Sequence, residues 1–168
     1  MKSLFLGLLG LCFASATAQA VVIGWTATLD PGQETHVVTA PPGAGGTATG
    51  SIDTVSGLLS WNISFSNLSG APTGIHFHGA APPGSGAGVR LNIGGISGLG
   101  SPTIGSANVS AAFVDEILQG LWYINVHTAQ NGAGEIRGQV EPVPVPAAAV
   151  LMLLSLIHIS EPTRLATI

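Results

Sequence analysis

The feature that most constrains this chain is a strict alternation of apolar and polar residues. Between residues 59 and 66 every second side chain is apolar and each of the others is Ser or Asn; the apolar set is Leu59, Trp61, Ile63 and Phe65. A period of two places the two sets on opposite faces of a β-strand. The segment therefore predicts a strand with one face in a core and the other face in water.

Seven further segments have strand composition and are separated by turns rich in Gly, Pro and Asn. They cover residues 21–29, 46–52, 73–78, 89–93, 103–109, 121–128 and 135–140. Because 46% of the 168 residues are hydrophobic, the chain can bury a core, which excludes a disordered polar protein. We expect an all-β domain: an antiparallel β-sandwich of about seven or eight strands, Greek-key, superoxide-dismutase-like or immunoglobulin-like.

One segment has helical spacing instead. Phe113, Ile117 and Leu118 recur on one face between Ser110, a suitable N-cap, and Gly120, a suitable C-terminal stop. We expect a single short helix there, with its acidic residues facing outward. The core between the two sheets should contain Trp25, Trp61, Phe65, Phe77, Trp122 and Ile124.

The N-terminal 20 residues have the pattern of a secretory signal peptide. Lys2 supplies a positive charge, residues 4–13 form an apolar run too short to span a bilayer, and residues 18–20 read Ala-Gln-Ala, a small-x-small cleavage site. We expect an exported protein, in the periplasm, at the cell surface or outside the cell. Cys12, the single cysteine, would leave with residues 1–20, so the mature chain would have no disulfide and no thiolate ligand.

The C-terminal region begins with a proline-rich stretch. Residues 141–146 predict an extended linker rather than a strand, because proline lacks the backbone N–H that pairing needs. With the apolar run that follows, residues 141–153 resemble the start of a PEP-CTERM sorting signal, which implies membrane contact only through this segment. Residues 154–168 resemble a translated sequencing adapter, and we expect them to be non-native and to pack on nothing.

Few reactive side chains remain after the signal peptide. The chain has 4 Lys and Arg against 8 Asp and Glu, with no basic run that could neutralise phosphates. We therefore expect no nucleic-acid partner. The histidines are the main candidates for chemistry.

Strand parity brings three of these histidines toward one place. His76 and His78 are two residues apart, so both rings leave the same face of a strand, with origins roughly 6–7 Å apart. In residues 121–128, His127 lies on the face opposite to the apolar residues Trp122 and Ile124. If the two strands are neighbours, three neutral imidazoles can hold one copper or zinc ion. The alternative is a set of polar-face histidines without a metal.

Four more residues are candidates around that site. His36 is a candidate fourth ligand, and Glu34 or Glu135 could supply an oxygen ligand. Asn125, on the same face as His127, could orient its ring.

Glu135 and Arg137 also share a strand face. The simpler interpretation is an exposed pair that contributes under about 1 kcal/mol. The functional alternative is that Arg137 binds an acidic sugar or a phosphate through its planar guanidinium, oriented by Glu135.

Several motifs together resemble the CHRD domain, a module abundant in secreted bacterial proteins. They are Leu-Asp-Pro-Gly-Gln-Glu at residues 29–34, Gly-Ile-His-Phe-His-Gly at 74–79, Trp-Tyr-Ile-Asn-Val-His-Thr at 122–128 and Gly-Glu-Ile-Arg-Gly-Gln at 134–139. On this resemblance, residues 21–140 form one CHRD domain. Residues 35–38 depart from the family, which usually has Val-Pro-Pro there. The resemblance implies an extracellular β-rich module without an established general activity.

The order of the histidines is also similar to that of the copper ligands in Cu,Zn superoxide dismutase. Two functions follow. The first is a secreted or surface-attached module with a binding or structural role, holding one copper or zinc ion and contacting an unknown extracellular protein or polysaccharide. The alternative is a copper-dependent, superoxide-dismutase-like oxidoreductase. The absence of a disulfide and of a separate zinc loop favours the first function over an enzyme.

Overall fold

The computed structural model describes residues 20–144. Its strands are β1 (Val22–Leu29), β2 (Gly45–Asp53), β3 (Leu58–Ser66), β4 (Pro72–His78), β5 (Val89–Asn92), β6 (Thr103–Asn108), β7 (Tyr123–Thr128), β8 (Ile136–Gln139) and β9 (Glu141–Pro142). They form a five-stranded sheet in the order β6-β3-β2-β1-β9 and a four-stranded sheet in the order β5-β4-β7-β8. All pairings between them are antiparallel. The predicted all-β sandwich is confirmed.

Strand β9 corrects the prediction of a linker that begins at residue 141. Glu141 and Pro142 pair with Thr26 and Trp25 of β1, and Val143 N–H then donates to Gly24 O at 2.8 Å. Proline is tolerated here because β9 is an edge strand, where one row of backbone groups needs no partner.

The core between the sheets is built around tryptophan and phenylalanine. Phe77 lies at its centre, 5.8 Å from the Trp25 ring, 5.9 Å from the Trp61 ring and 5.6 Å from the Trp122 ring. These four side chains and Ile124 are buried, as predicted. The prediction was wrong only for Phe65, which is half-buried near the end of β3 and packs against the core from its margin.

Helices are short and few in residues 20–144. The predicted helix is α2 (Ala111–Leu118), capped by the Ser110 side chain and followed by Gly120, whose φ of 68° suits glycine. Two helical segments were not predicted: α1 (Ile93–Ser97), where the predicted strand 89–93 already turns, and a 3₁₀ turn at Pro31–Gln33. Asn92 supplies the cap of α1 by accepting from Gly95 N–H.

A short bridge joins the chain just after β1 to strand β8 near the site. Asp30, just after β1, exchanges two backbone hydrogen bonds with Arg137 of β8, at 3.0 and 3.2 Å. The following segment then reaches the outer face of the four-stranded sheet, where the Gln33 side chain accepts from Gln139 N–H at 3.2 Å.

Three predictions concern chain outside the described residues: the signal peptide, the apolar run from residue 147 and the adapter-like tail. Within residues 20–144, no helix is both long and apolar enough to cross a bilayer.

Candidate metal centre

The candidate site lies on the outer face of the four-stranded sheet. Alternation in β4 sends Ile75 and Phe77 into the core, which turns His76 and His78 to the opposite face. Strand β7 pairs directly with β4, with His76 opposite Asn125 and Gly74 opposite His127. Strands β4 and β7 are therefore neighbours, which is the condition for the three histidines to face one another.

Three of the predicted ligands come together here. One ligand nitrogen from each of His76, His78 and His127 lies within 4.8 Å of the others, and the ring centroids are 4.9 to 5.9 Å apart. Nitrogens about 2.0–2.1 Å from one ion would be roughly 3.3–3.6 Å apart in tetrahedral or trigonal geometry. The three ligand nitrogens, within 4.8 Å of one another, are therefore close to the separation of ligands that share one ion.

Backbone carbonyls orient two of the rings. His78 Nδ1 lies 2.9 Å from Ala87 O, and His127 Nδ1 lies 3.2 Å from Gly132 O. A carbonyl accepts only, so each Nδ1 carries the proton and each Nε2 keeps its lone pair. The nitrogens His76 Nδ1, His78 Nε2 and His127 Nε2 are buried and have no hydrogen-bond partner in the described residues. Buried polar atoms usually have a partner, so these three nitrogens are notable as a group.

Burial keeps these rings neutral. The pKa of each of the three histidines lies below its ordinary value of 6.5, chiefly because burial penalises the charged ring. For His76 and His127, the neighbouring histidines lower the pKa further. Neutral imidazole is the form that binds copper and zinc.

Asn125 does not orient His127 as predicted, since Gly132 O does. Its Nδ2 instead reaches Ala133 O at 3.4 Å. The turn after β7 brings Gly132 O to the His127 ring. Strand parity predicts only the face of a side chain, so it could not predict this partner in a loop.

His36 and Glu34 lie beside the three histidines rather than among them. His36 Nε2 is 3.1 Å from Gly134 O, and His36 Nδ1 is 3.7 Å from Glu34 Oε2. The Glu34 side chain is only 2% exposed. Burial raises its pKa, against the opposing effects of His36, Arg137 and the Asn125 hydrogen bond. The structure does not bring either residue into the ligand group.

Glu135 is buried and belongs to a different network. Its carboxylate accepts from Ser69 N–H at 2.6 Å, Thr128 Oγ1 at 2.6 Å and Asn131 Nδ2 at 2.9 Å, and also from the Ser69 hydroxyl. Burial acts to raise the pKa of Glu135, but these hydrogen bonds outweigh it and hold the pKa below 4.5. It therefore joins the loop before β4 to the β7–β8 turn.

The predicted exposed pair of Glu135 with Arg137 was wrong, because both side chains are buried. The Arg137 guanidinium lies 3.6 Å from the Tyr123 ring centroid and donates to Gln139 Oε1 at 3.3 Å. The residues before β2 and the turn after β7 cover this face, which a strand pattern alone does not reveal.

Some contributors to the site were not predicted. Tyr123 stacks on His78 with ring centroids 5.0 Å apart, and its hydroxyl accepts from Ala87 N–H at 2.9 Å. Gly74 leaves room for two histidine rings. Gly74 lies on the same strand face as His76, and Tyr123 lies on the same strand face as His127. The alternation of the two strands could therefore have predicted both residues.

Comparison with known proteins identifies the family. The CHRD domain family matches residues 25–140 of the chain. No curated protein and no solved structure matches at a significant level. Because the match spans well over half of the sequence, the chain belongs to the CHRD domain family.

Proposed function

We propose that this CHRD domain is exported and binds one copper or zinc ion through His76, His78 and His127. The observation that carries the proposal is the set of three buried, unpartnered ring nitrogens, one from each histidine, on side chains whose ligand atoms lie within 4.8 Å. Leaving three polar atoms buried without partners is costly. An ion held by the three histidines would provide a partner for ring nitrogens of this group.

Two further features support the choice of metal. The ligand group consists of imidazoles, which suit copper and zinc better than calcium or magnesium. The carbonyls of Ala87 and Gly132 hold two rings in the tautomer that leaves Nε2 free. The site is thus ordered before an ion arrives, which favours binding.

The test is metal analysis of the purified chain. After loading with Cu²⁺ or Zn²⁺ and dialysis, we expect one ion per chain. His76→Ala and His127→Ala should each reduce the bound metal by at least about tenfold, whereas His36→Ala should retain it. His158→Ala is the control for the C-terminal tail. Equal metal content in all five proteins would rule out this site.

The oxidoreductase alternative requires substrate access to a bound copper ion. One observation favours it: His76 and His127 are only half-buried, so the ligand group is not closed to solvent. Copper-loaded protein should then remove superoxide faster than the same amount of the His127→Ala variant. Equal rates, with copper bound only by the wild-type chain, would favour a binding or structural role. In that role, the partner of the domain would be an extracellular protein or polysaccharide.

A further inference from the structure

Arg137 carries a buried positive charge without an ion pair in residues 20–144. Its side chain is 2% exposed, and its guanidinium, which has five N–H donors, makes one hydrogen bond, to Gln139. The Glu34 carboxylate is near enough to favour this charge but forms no ion pair with it. Arg90 is different, because its Nε and Nη2 both donate to the Glu116 carboxylate at 3.0 Å.

Arg137 lines a cavity of about 190 Å³, and Gln33, Glu34, Thr35, Pro83 and Gln139 also contribute to its wall. It is smaller than the roughly 300–1,000 Å³ of drug-sized sites, so it suits one small polar group. Gln139 is held firmly, since its Nε2 donates to Ala81 O at 3.0 Å and to Gly120 O at 2.7 Å.

We propose that this cavity binds a carboxylate through Arg137, from either a small organic acid or a uronic-acid unit of an acidic polysaccharide. A carboxylate offers two coplanar acceptors that match the guanidinium, and it would form the direct ion pair that Arg137 lacks in residues 20–144. The contact of the guanidinium carbon with the Tyr123 ring, 3.6 Å from its centroid, holds this end of the side chain in place before the ligand arrives. His76, His78 and His127 do not line the cavity, so the inference does not depend on metal binding.

The experiment is a titration of the purified chain, monitored by saturation-transfer NMR. Ionic strength is kept constant and EDTA is present. The probes are sodium acetate, sodium D-glucuronate and D-glucose. We expect saturable binding of both anions and none of glucose. Tighter binding of glucuronate than of acetate assigns the site to an acidic sugar, and equal binding assigns it to a small acid. The proposal is overturned if neither anion shows saturable binding.

Variants locate the binding. Arg137→Lys keeps the charge but loses the planar pair of donors, and the Kd for the anion should rise at least about tenfold. Because Arg137 is buried, circular dichroism must show that this variant folds. Thr35→Trp blocks the exposed wall of the cavity without altering Arg137, and Val37→Trp, at a position that is 95% exposed, is its control. Glu34→Gln removes a negative charge from the wall and should tighten binding. An unchanged Kd in both Arg137→Lys and Thr35→Trp would refute the assignment.

Discussion

Gly74 lies directly opposite His127 in the pairing of β4 with β7. A Cβ atom at Gly74 would lie 2.9 Å from His76 Cε1 and 3.5 Å from His127 Cδ2. The first distance is shorter than real Cβ contacts, so a side chain at this position forces the His76 ring to move. The glycine thus keeps open the space in which these two rings approach to 4.9 Å.

Gly74→Ala should therefore weaken metal binding more than it weakens the fold. The clash falls on the end of a side chain that can rotate, so the strand can remain paired while the ligand geometry is lost. We expect affinity for Zn²⁺ to fall by about tenfold or more, measured by competition with a chelating dye. Gly70→Ala, where a Cβ would meet nothing within 4 Å, is the control. Equal affinities for the two variants would contradict this role of Gly74.

The pH dependence of metal binding follows from the lowered histidine pKa values. Protonated imidazole cannot bind an ion, so protons compete with the metal. Because burial lowers the pKa of all three rings below 6.5, binding should be complete above pH 6.5 and should decline as pH falls through the lowered values. Zn²⁺ titrations at pH 7.5, 6.5 and 5.5 measure this decline. A loss of affinity that is already complete at pH 6.5 would contradict the neutral, desolvated rings.

Strand parity was enough to predict the named core residues except Phe65 and the shared face of the three histidines, because both depend on a local period of two. The face of His127 follows from its separation from Ile124 along β7 and from Trp122 just before that strand. What parity could not supply is the carbonyl that holds each ring, since Ala87 and Gly132 lie in loops whose paths depend on tertiary packing. Parity likewise placed Asn125 on the correct face but could not identify its hydrogen-bond partner, Ala133 O, which lies in the turn after β7.

The burial of the outer face of the four-stranded sheet also could not be predicted from the sequence pattern. Alternation indicates only that Glu135 and Arg137 share a side of the sheet, and a polar side is normally exposed. Here both charged side chains are buried. Gln33 contacts Gln139 and His36 contacts Gly134 on this face, whereas Ser69 contacts Glu135. The two side chains then find different partners, Ser69 and its neighbours for Glu135 and Tyr123 for Arg137.

Glu135→Gln should destabilise the domain strongly. The buried carboxylate accepts from Ser69, Thr128 and Asn131, and an amide replaces one acceptor oxygen with a donor that faces these same groups. We expect the free energy of unfolding to fall by about 2–4 kcal/mol, measured by urea denaturation at pH 7. Glu141→Gln, at an exposed position, should have little effect. A loss of similar size in both variants would argue against a special role for the buried network.

The same carboxylate should make stability depend on acid. Its pKa is below 4.5 in the folded chain, so under acidic conditions the unfolded chain takes up a proton more readily than the folded chain does. The stabilisation is therefore fully present above pH 4.5 and is lost as pH falls through the lower, folded-state pKa. Urea denaturation between pH 6 and pH 3 should show a steeper decline for the wild type than for Glu135→Gln. Parallel curves would exclude this linkage.

Glu116 should hold helix α2 to the four-stranded sheet. Its carboxylate accepts from Trp122 Nε1 at 2.7 Å and from two nitrogens of Arg90 at 3.0 Å, so it faces inward although an outward position was expected. Glu116→Gln leaves one of these donors facing an amide N–H₂, and because Trp122 is fully buried, water cannot replace the lost acceptor. We expect a loss of about 1–3 kcal/mol in urea denaturation, with a change in Trp fluorescence. The adjacent Asp115→Asn, at an exposed position, should change stability by less than about 0.5 kcal/mol. Equal losses at the two positions would mean that the acidic residues of α2 act only through the general charge of the helix.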